Sequence, residues 1–294
     1  MRGVALDLVT DRPIGLADIA ALRSAIISDL LSPGMVGLEI GAGTLPTSVP
    51  DGVIVHQFDI LTGDELERYH ALHGSPVTVR DVAKIPDVFP NGADFLIANQ
   101  VLEHCADPIG ALIDWHNYLK PDGVAIISVP HFCHCTNEAG RIVPPFEHVL
   151  LDYTLARGAD AFESREHVLS GILAWEELSA RSGETTVDYA RRVLETHKGG
   201  AEHHWHALDD HLFQRIVAAA ALFAGRAPRY LRYGAPWLGY APASAESVQA
   251  TYGELFAVYK LDGDRNSYTP IIDEVDAVRA RLQKAQDLLE RIAL

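Results

Sequence analysis

The stretch that decides the fold is Met35–Pro46, which reads MVGLEIGAGTLP. Its mostly apolar first six residues predict a buried strand over 35–40. Gly41, Ala42 and Gly43 follow directly. Glycines at the end of a strand let a ligand approach the main chain where a Cβ would collide. The stretch therefore predicts a strand with a ligand-binding turn at its carboxyl end.

Further strands follow at intervals that leave room for helices between them. Seven buried strands are expected, over 35–40, 52–58, 76–81, 93–99, 124–130, 229–233 and 253–261. Asp107-Pro108 begins one intervening helix with a capping carboxylate and a proline that loses no hydrogen bond there. Strands that alternate with helices in this way predict an α/β fold with a doubly wound, Rossmann-like, mostly parallel sheet.

The chain is expected to divide into four parts. The predicted parts are an N-terminal helical segment 1–34 with its helix over 14–31, a Rossmann-like domain over 35–131 and 208–262, a mainly helical insertion or lid over 132–207 between strands five and six, and an amphipathic helix over 263–294. Apolar residues in the last part step at heptad spacing, at Val275, Val278, Leu282, Ala285, Leu289 and Ile292. That seam is open to two interpretations, a homodimer or packing on the protein's own core.

Composition limits the class of partner. The chain has 294 residues and a formal net charge of −16. Such a surface repels nucleic-acid phosphates and anionic lipid, so a small molecule is the expected partner, with neither nucleic acid nor membrane. Charged residues interrupt any apolar leader in the first thirty positions, and three cysteines suit a reduced compartment, so a cytoplasmic location is expected.

Two features separate the ligands that the glycine turn can bind. A dinucleotide fingerprint needs a helix directly after the glycines, because the pyrophosphate binds at the helix N-terminus. Pro46 and Pro50 would break such a helix. S-adenosylmethionine carries no phosphate and loses much less, and Glu39 can organise the turn and face a cationic amino-acid ligand. The sequence therefore favours S-adenosylmethionine over a nicotinamide dinucleotide.

Polar residues at the ends of the next strands complete a predicted cofactor site, because ligands of open α/β sheets bind at the carboxyl ends of the strands. Asp59 would accept hydrogen bonds from ribose hydroxyls, and Asp81 with Val82 would hold the adenine. Asn99 and Gln100 would face the methionine end. Loop capping alone is the alternative for the two aspartates. The full predicted set is Glu39, Gly41, Ala42, Gly43, Asp59, Ile60, Asp81, Val82, Asn99, Gln100 and His104.

These residues resemble the class I S-adenosylmethionine-dependent methyltransferases. VGLEIGAGT (36–44) and the block from VLEHCADP to LKPDG (101–123) carry the resemblance, which covers about 35–262. Within that superfamily the chain is similar to a group associated with bacterial glycosyltransferase and surface-polysaccharide genes. The shared elements are Glu147-His148 with Asp152-Tyr153, a variant Arg165-Glu166-His167, and His204-Trp205-His206. The resemblance implies a methyltransferase that modifies a small molecule or a glycan.

The segment VPHFCHC (129–135) departs from that group, which commonly has Asp where His131 stands. A histidine at the end of strand five could accept a proton from an acceptor hydroxyl or amine, or it could hydrogen-bond a loop carbonyl. His134 and His148 are the next candidates for a catalytic base. No metal is expected, because adjacent side chains in an extended segment point opposite ways and no C-x-x-C pair is present. The alternative is a metal held by two residues of this segment together with His148, His167 or the 203–206 cluster. Cys105 is expected to be structural.

Four functions remain open on the sequence. The leading one is methyl transfer from S-adenosylmethionine to oxygen or nitrogen of a small-molecule or sugar acceptor. The second is another use of the same cofactor on the same fold, such as transfer of its aminocarboxypropyl arm or cyclisation. The third is a nicotinamide-dependent dehydrogenase, which Pro46 disfavours. The fourth is a non-catalytic methyltransferase-like scaffold that recruits a partner through the heptad seam.

Overall fold

A computed structural model of the protein describes most of the chain. The described residues are 2–3, 8–10, 16–42, 46–60, 80–132, 141–156, 185, 188, 204–234, 237–240 and 250–292. The strands are β1 Arg2–Gly3, β2 Leu8–Thr10, β3 Val36–Ile40, β4 Ile54–Asp59, β5 Arg80–Asp81, β6 Ala93–Asn99, β7 Leu119–Pro130, β8 Arg229–Gly234, β9 Trp237–Tyr240 and β10 Ala250–Lys260. The helices are α1 Leu16–Ile27, α2 Ile85–Val88, α3 Pro108–His116, α4 Phe146–Ala156, α5 Asp210–Phe223 and α6 Thr269–Ile292.

Eight of the strands follow one another in the sheet in the order β1-β8-β10-β7-β6-β3-β4-β5. The remaining two lie off this path, β9 beside β10 and β2 beside β9. The seven central strands are those from β8 to β5. Neighbours from β5 through β7 pair in parallel, and β10 runs antiparallel to both β7 and β8. The predicted seven-stranded, mostly parallel, Rossmann-like sheet is therefore confirmed. Because the parallel strands share a direction, their carboxyl ends meet along one edge of the sheet.

Two expectations about local structure need correction. The segment 1–34 contains the predicted helix, but β1 and β2 also lie in it and pair in parallel with β8 and β9. Strands of two and three residues carry no detectable periodicity, so tertiary pairing alone creates them. The strand expected over 124–130 instead begins at Leu119 and contains a bulge over 120–123, since Leu119 lies opposite Ala93 whereas Val124 lies opposite Phe95.

The described part of the insertion expected over 132–207 contains α4, and most of that range lies outside the described residues. The helix after it is α5, which begins after Asp209, whose carboxylate accepts a hydrogen bond from the Leu212 amide. Among the described residues, no helix is both long enough and apolar enough to span a membrane.

Apolar residues cover both faces of the sheet. Along β6, Leu96 and Ala98 pack into the core formed with α3 and α5, whereas Phe95 and Ile97 pack against α1. This alternation follows the two-residue period of a strand. Helices therefore cover both faces of the sheet.

The C-terminal helix α6 packs on the protein's own core at its start. Val275 and Val278 are buried in the cluster that also contains residues of α5. The other four residues of the heptad seam have side chains outside the described set. The first two seam positions are therefore occupied by intramolecular contacts.

A buried ion pair fastens α1 to the sheet. The Arg23 guanidinium donates to both carboxylate oxygens of Glu254 in β10, with its Nε 3.2 Å from Oε2. Both side chains are almost fully buried. Removing one member of such a pair leaves a charge in a poorly solvated place, which is far more costly than the loss of an exposed pair.

We predict that Arg23→Met lowers the free energy of unfolding by about 3–5 kcal/mol. The matched control is Arg229→Met, which removes an ion pair with Asp262 in which both side chains are half exposed. We expect that control to cost at most about 1 kcal/mol. Urea unfolding followed by circular dichroism measures both variants. Equal losses would contradict the role assigned to the buried pair.

Candidate active site

A cavity of about 290 Å³ opens at the carboxyl ends of the parallel strands. Its lining residues are Ile40, Gly41, Asp59, Ile60, Val82, Ile85, Val101, His104, Cys105, Ala111, Asp114, Trp115 and Tyr118. They come from the ends of β3 and β4, from the loops after β5 and β6, and from one side of α3. Five of the predicted cofactor residues therefore lie together around one cavity.

Gly41 ends β3 in a conformation that favours glycine. Its φ is +64°, and a Cβ built on it would lie 2.7 Å from Cγ2 of Val101. Its amide donates to the carbonyl of Phe58 in β4. Ala42 is buried, and Gly43 lies outside the described residues. The main chain can thus form part of the cavity wall, as the sequence predicted.

No helix follows the glycine turn in the residues described there. The backbone over 46–50 is irregular. The helix N-terminus that a pyrophosphate would need is therefore missing from this described stretch, which agrees with the effect expected of Pro46.

The ends of β4 and β5 contribute a carboxylate and an apolar wall. Asp59 is partly buried at the cavity, and Ile60 beside it is 59% exposed. Val82 lines the cavity as well. Asp81 does not, and its Oδ1 accepts a hydrogen bond from the Ala83 amide over 2.8 Å. That contact is the loop-capping role which the sequence analysis left open for Asp81.

A chain of hydrogen bonds joins the carboxyl ends of β3, β6 and β7. Glu39 Oε1 accepts from the hydroxyl and the amide of Thr47, over 2.6 and 3.1 Å. Asn99 Nδ2 donates to Thr47 Oγ1, and Ser128 Oγ donates to Asn99 Oδ1, each over 2.8 Å. All four side chains are buried, and burial raises the pKa of Glu39 although the bonds from Thr47 oppose the shift.

This network changes the roles expected of two residues. Glu39 bonds to Thr47, and Asn99 uses both ends of its amide within the protein. Thr47 was missed by the sequence analysis. No periodicity or spacing marks a threonine that lies between two prolines in an irregular segment.

Gln100, the residue after β6, has an unusual backbone conformation. Its φ is +57°, the left-handed region that a residue with a Cβ rarely adopts. Its amide donates to the carbonyl of Ser128, which holds this conformation. Its Nε2 is buried and has no hydrogen-bond partner among the described residues. Gln100 does not line the cavity, although the next residue, Val101, does. A strained residue with a buried, unsatisfied donor is typical of a ligand-binding position.

The short 3-10 turn Leu102–His104 brings two titratable residues to the cavity rim. His104 lines the cavity, and its ring packs edge-on against that of His204 with centroids 4.6 Å apart. Glu103 is fully buried, and its carbonyl accepts a 2.7 Å hydrogen bond from the Trp205 amide. The segment that begins at His204 is thereby attached to the turn after β6, next to the cavity.

Cys105 lines the same cavity as an inert thiol. Burial raises its pKa to about 12, and the nearby carboxylates of Glu103 and Asp107 add to the shift. A thiol with this pKa is protonated at neutral pH, whereas nucleophiles and metal ligands are thiolates. The structural role expected of Cys105 agrees with this environment.

The three candidate bases lie in different places. His131 follows β7, where its amide donates to the Gly253 carbonyl and its ring stacks on Phe132 with centroids 5.4 Å apart. It is partly buried and is not among the residues that line the cavity. His134, like Cys133 and Cys135, lies outside the described residues. His148 lies on α4, and its Nε2 is 3.4 Å from Asp152 Oδ2.

One wall of the cavity was missed by the sequence analysis. Ala111, Asp114, Trp115 and Tyr118 line it from α3 and the residues after that helix. The Asp107 carboxylate caps this helix by accepting from the Gly110 amide over 2.8 Å. The cap was predicted, and a helix that begins so close to the end of β6 must pass the cavity. The short distance in sequence between the end of β6 and the start of α3 could therefore have indicated that this helix lines the cavity.

Comparison with known proteins identifies part of this arrangement. Residues 54–127 match the family model described as a methyltransferase domain. No curated protein matches the chain.

Several solved structures are similar at low identity. The CurJ carbon methyltransferase is 15% identical, with 85% of this chain and 59% of that chain covered and a TM-score of 0.31. A putative methyltransferase from Bacillus halodurans is 12% identical, with 84% and 97% covered and a TM-score of 0.39. A phosphoethanolamine N-methyltransferase from Haemonchus contortus, solved with S-adenosylhomocysteine, is 15% identical, with 79% and 50% covered and a TM-score of 0.30.

The chain spans only 59% of the length of the CurJ methyltransferase and 50% of that of the Haemonchus contortus enzyme. Likenesses at this level do not bear on the acceptor. The family match lies within a sheet of seven central strands with one antiparallel member. The chain therefore contains, over residues 54–127, a segment similar to a methyltransferase domain, set in a Rossmann-like sheet.

Proposed function

We propose that the protein transfers a methyl group from S-adenosylmethionine to an oxygen or nitrogen atom of a small-molecule or sugar acceptor. The observation that carries the proposal is the cavity at the strand ends, where the glycine turn, Asp59 and an apolar wall meet. When bound, the cofactor supplies an electrophilic methyl group on a sulfonium. The protein's own task is to hold that methyl in line with the acceptor and to remove a proton.

The residues of the cavity fit the parts of this cofactor. Gly41 offers main chain with no Cβ in the way, and the Asp59 carboxylate can accept hydrogen bonds from two hydroxyls of a ribose. Ile60 and Val82 offer apolar surface for a purine. The buried Nε2 of Gln100 is a donor suited to a carboxylate, which the amino-acid end of the cofactor carries.

The acceptor class is supported by charge and by resemblance. A net charge of −16 disfavours nucleic acid and other polyanions as substrates. The similarity to methyltransferases found beside glycosyltransferase and surface-polysaccharide genes favours a sugar or a sugar-linked molecule. His131 lies at the end of β7, next to the strand whose end carries Asn99 and Gln100. We assign it the role of general base toward the acceptor.

We predict that S-adenosylmethionine and S-adenosylhomocysteine bind with micromolar affinity and that NAD does not. The reason is that the glycine turn leads into irregular backbone over 46–50, so no helix N-terminus is offered to a pyrophosphate there. Isothermal titration with the three ligands measures this. NAD binding without S-adenosylhomocysteine binding would refute the assignment.

We predict that Asp59→Ala weakens S-adenosylhomocysteine binding by about 10- to 150-fold, which corresponds to the loss of about 1.5–3 kcal/mol of charge-assisted hydrogen bonding. Stability should change little, because the side chain lies at a cavity and not in the core. The matched control is Asp51→Ala, an exposed aspartate in the turn before β4. Unchanged affinity in folded Asp59→Ala would remove the ribose role.

We predict that His131→Ala lowers kcat by about 10²–10⁴-fold and leaves S-adenosylhomocysteine affinity within about twofold. The imidazole would act on the acceptor's proton and not on the cofactor. Turnover is measured with methyl-labelled cofactor, which also distinguishes methyl transfer from transfer of the aminocarboxypropyl arm. A fully active His131→Ala protein would contradict the general-base role.

A further inference from the structure

Two histidines and one aspartate converge on a point away from the residues that line the cofactor cavity. We call His148, Asp152 and His206 the His148 cluster. Oδ2 of Asp152 lies 2.8 Å from Nε2 of His206 and 3.4 Å from Nε2 of His148. All three donor atoms lie within 4.8 Å of one another. Both imidazoles therefore direct the same ring nitrogen toward a single carboxylate oxygen.

The fold presents this donor set on anchored elements. His148 and Asp152 are four residues apart on α4, so they lie on the same side of the helix. His206 comes from the segment before α5. The main-chain amide and carbonyl of the neighbouring Trp205 are both hydrogen-bonded. The Trp205 amide donates to the Glu103 carbonyl over 2.7 Å, and its carbonyl accepts from Arg141 Nη2 over 3.1 Å.

Burial makes the charge of the cluster significant. The side chains of Asp152 and His206 are 4% and 1% exposed, and that of His148 is 20% exposed. A carboxylate this deep needs a compensating positive charge close to it. A divalent cation among the three donor atoms would provide that charge and would use both imidazoles in their neutral form.

We propose that the His148 cluster binds one zinc ion, or a similar divalent first-row transition-metal ion. Two imidazole nitrogens with one carboxylate oxygen are a usual set of protein ligands for zinc, whereas magnesium and calcium prefer oxygen alone. Zinc–ligand distances of about 2.0–2.1 Å in a tetrahedron place ligand atoms about 3.3 Å apart. The His148–Asp152 distance already matches this value, and the His206–Asp152 distance needs to open by about half an ångström.

Three protein ligands leave a fourth coordination position for water or for an oxygen of a substrate. His148 is the most exposed of the three side chains, so the open position faces its side. The alternative considered from the sequence joined His148 or the 203–206 cluster to the Cys133–Cys135 loop, whereas the His148 cluster uses Asp152 and no cysteine. The His148 cluster also differs from the group formed by Glu103, His104 and His204, because His104 lines the cofactor cavity.

The test is zinc binding to the full chain after chelation and dialysis. We expect one equivalent of zinc by elemental analysis, a rise in Tm on addition of zinc, and an affinity at least about 100-fold lower in Asp152→Asn and in His206→Ala. Asp152→Asn keeps an oxygen that can accept from the histidines, so a purely hydrogen-bonding role would spare its stability. The control is His211→Ala, an exposed histidine of α5, which should bind zinc like the natural chain.

Three further measurements keep the outcomes distinct. His204→Ala should retain zinc, and loss of zinc there with retention in His206→Ala would reassign the ion to the Glu103 group. Cobalt substitution should give a spectrum without thiolate charge transfer, and such a band would move the site to the cysteines. No zinc in the natural chain would overturn the proposal. S-adenosylhomocysteine titration of the zinc-free protein tests the proposed function separately.

Discussion

The buried hydrogen-bond chain from Glu39 through Thr47 and Asn99 to Ser128 is the constraint on which the functional edge of the sheet depends. It crosses three neighbouring strands at their carboxyl ends, where the main-chain ladder stops. Each of the four side chains has a hydrogen-bond partner within this chain. A satisfied buried network specifies one arrangement, because every alternative would leave a polar group unpaired. The glycine turn after β3 is therefore positioned by the hydrogen bonds between Thr47, which follows the turn, and Glu39, which precedes it.

That arrangement explains how the turn can do without a following helix. In a dinucleotide fold, the helix that begins at the glycines fixes the loop by its own backbone bonds. In this chain the carboxylate of Glu39 accepts the amide and the hydroxyl of a residue that lies eight positions later. Pro46 and Pro50 then cost nothing, since no helical hydrogen bond is lost. The same geometry leaves the main chain of Gly41 facing a cavity.

Much of the fold was predictable because burial imposes a period on the sequence. Six strands, β3, β4, β6, β7, β8 and β10, were predicted within five residues of their ends, since each carries a continuous or periodic apolar pattern. Of the strand predicted over 76–81, only Arg80–Asp81 lies among the described residues. The strands β1, β2 and β9 were not predicted, because two to four residues hold no period and only their partners make them strands. The bulge at 120–123 was missed because KPDG has turn chemistry, and only the register of β6 against β7 shows that pairing resumes on the same strand.

The site was predictable where a strand end determined it and unpredictable where a distant residue did. Gly41, Asp59 and Val82 follow strands and line the cavity, whereas Thr47 and the wall from α3 depend on tertiary packing. Asp81 shows the limit of reasoning from position alone. It stands where a ligand contact is expected, and its described bond caps a 3-10 turn.

The segment from His204 to His206 connects the two groups of titratable residues. His204 packs against His104 at the cavity, the Trp205 amide donates to the carbonyl of Glu103, and the His206 ring lies 2.8 Å from the Asp152 carboxylate. Two residues on, the Leu208 carbonyl accepts the amide of Phe132, next to His131. A displacement of this one segment would therefore change the surroundings of His104, of His131 and of the His148 cluster together. Its main chain is hydrogen-bonded to the turn after β6, to Phe132 just beyond β7 and to the Arg141 side chain, so the edge of the sheet and the insertion together position these histidines.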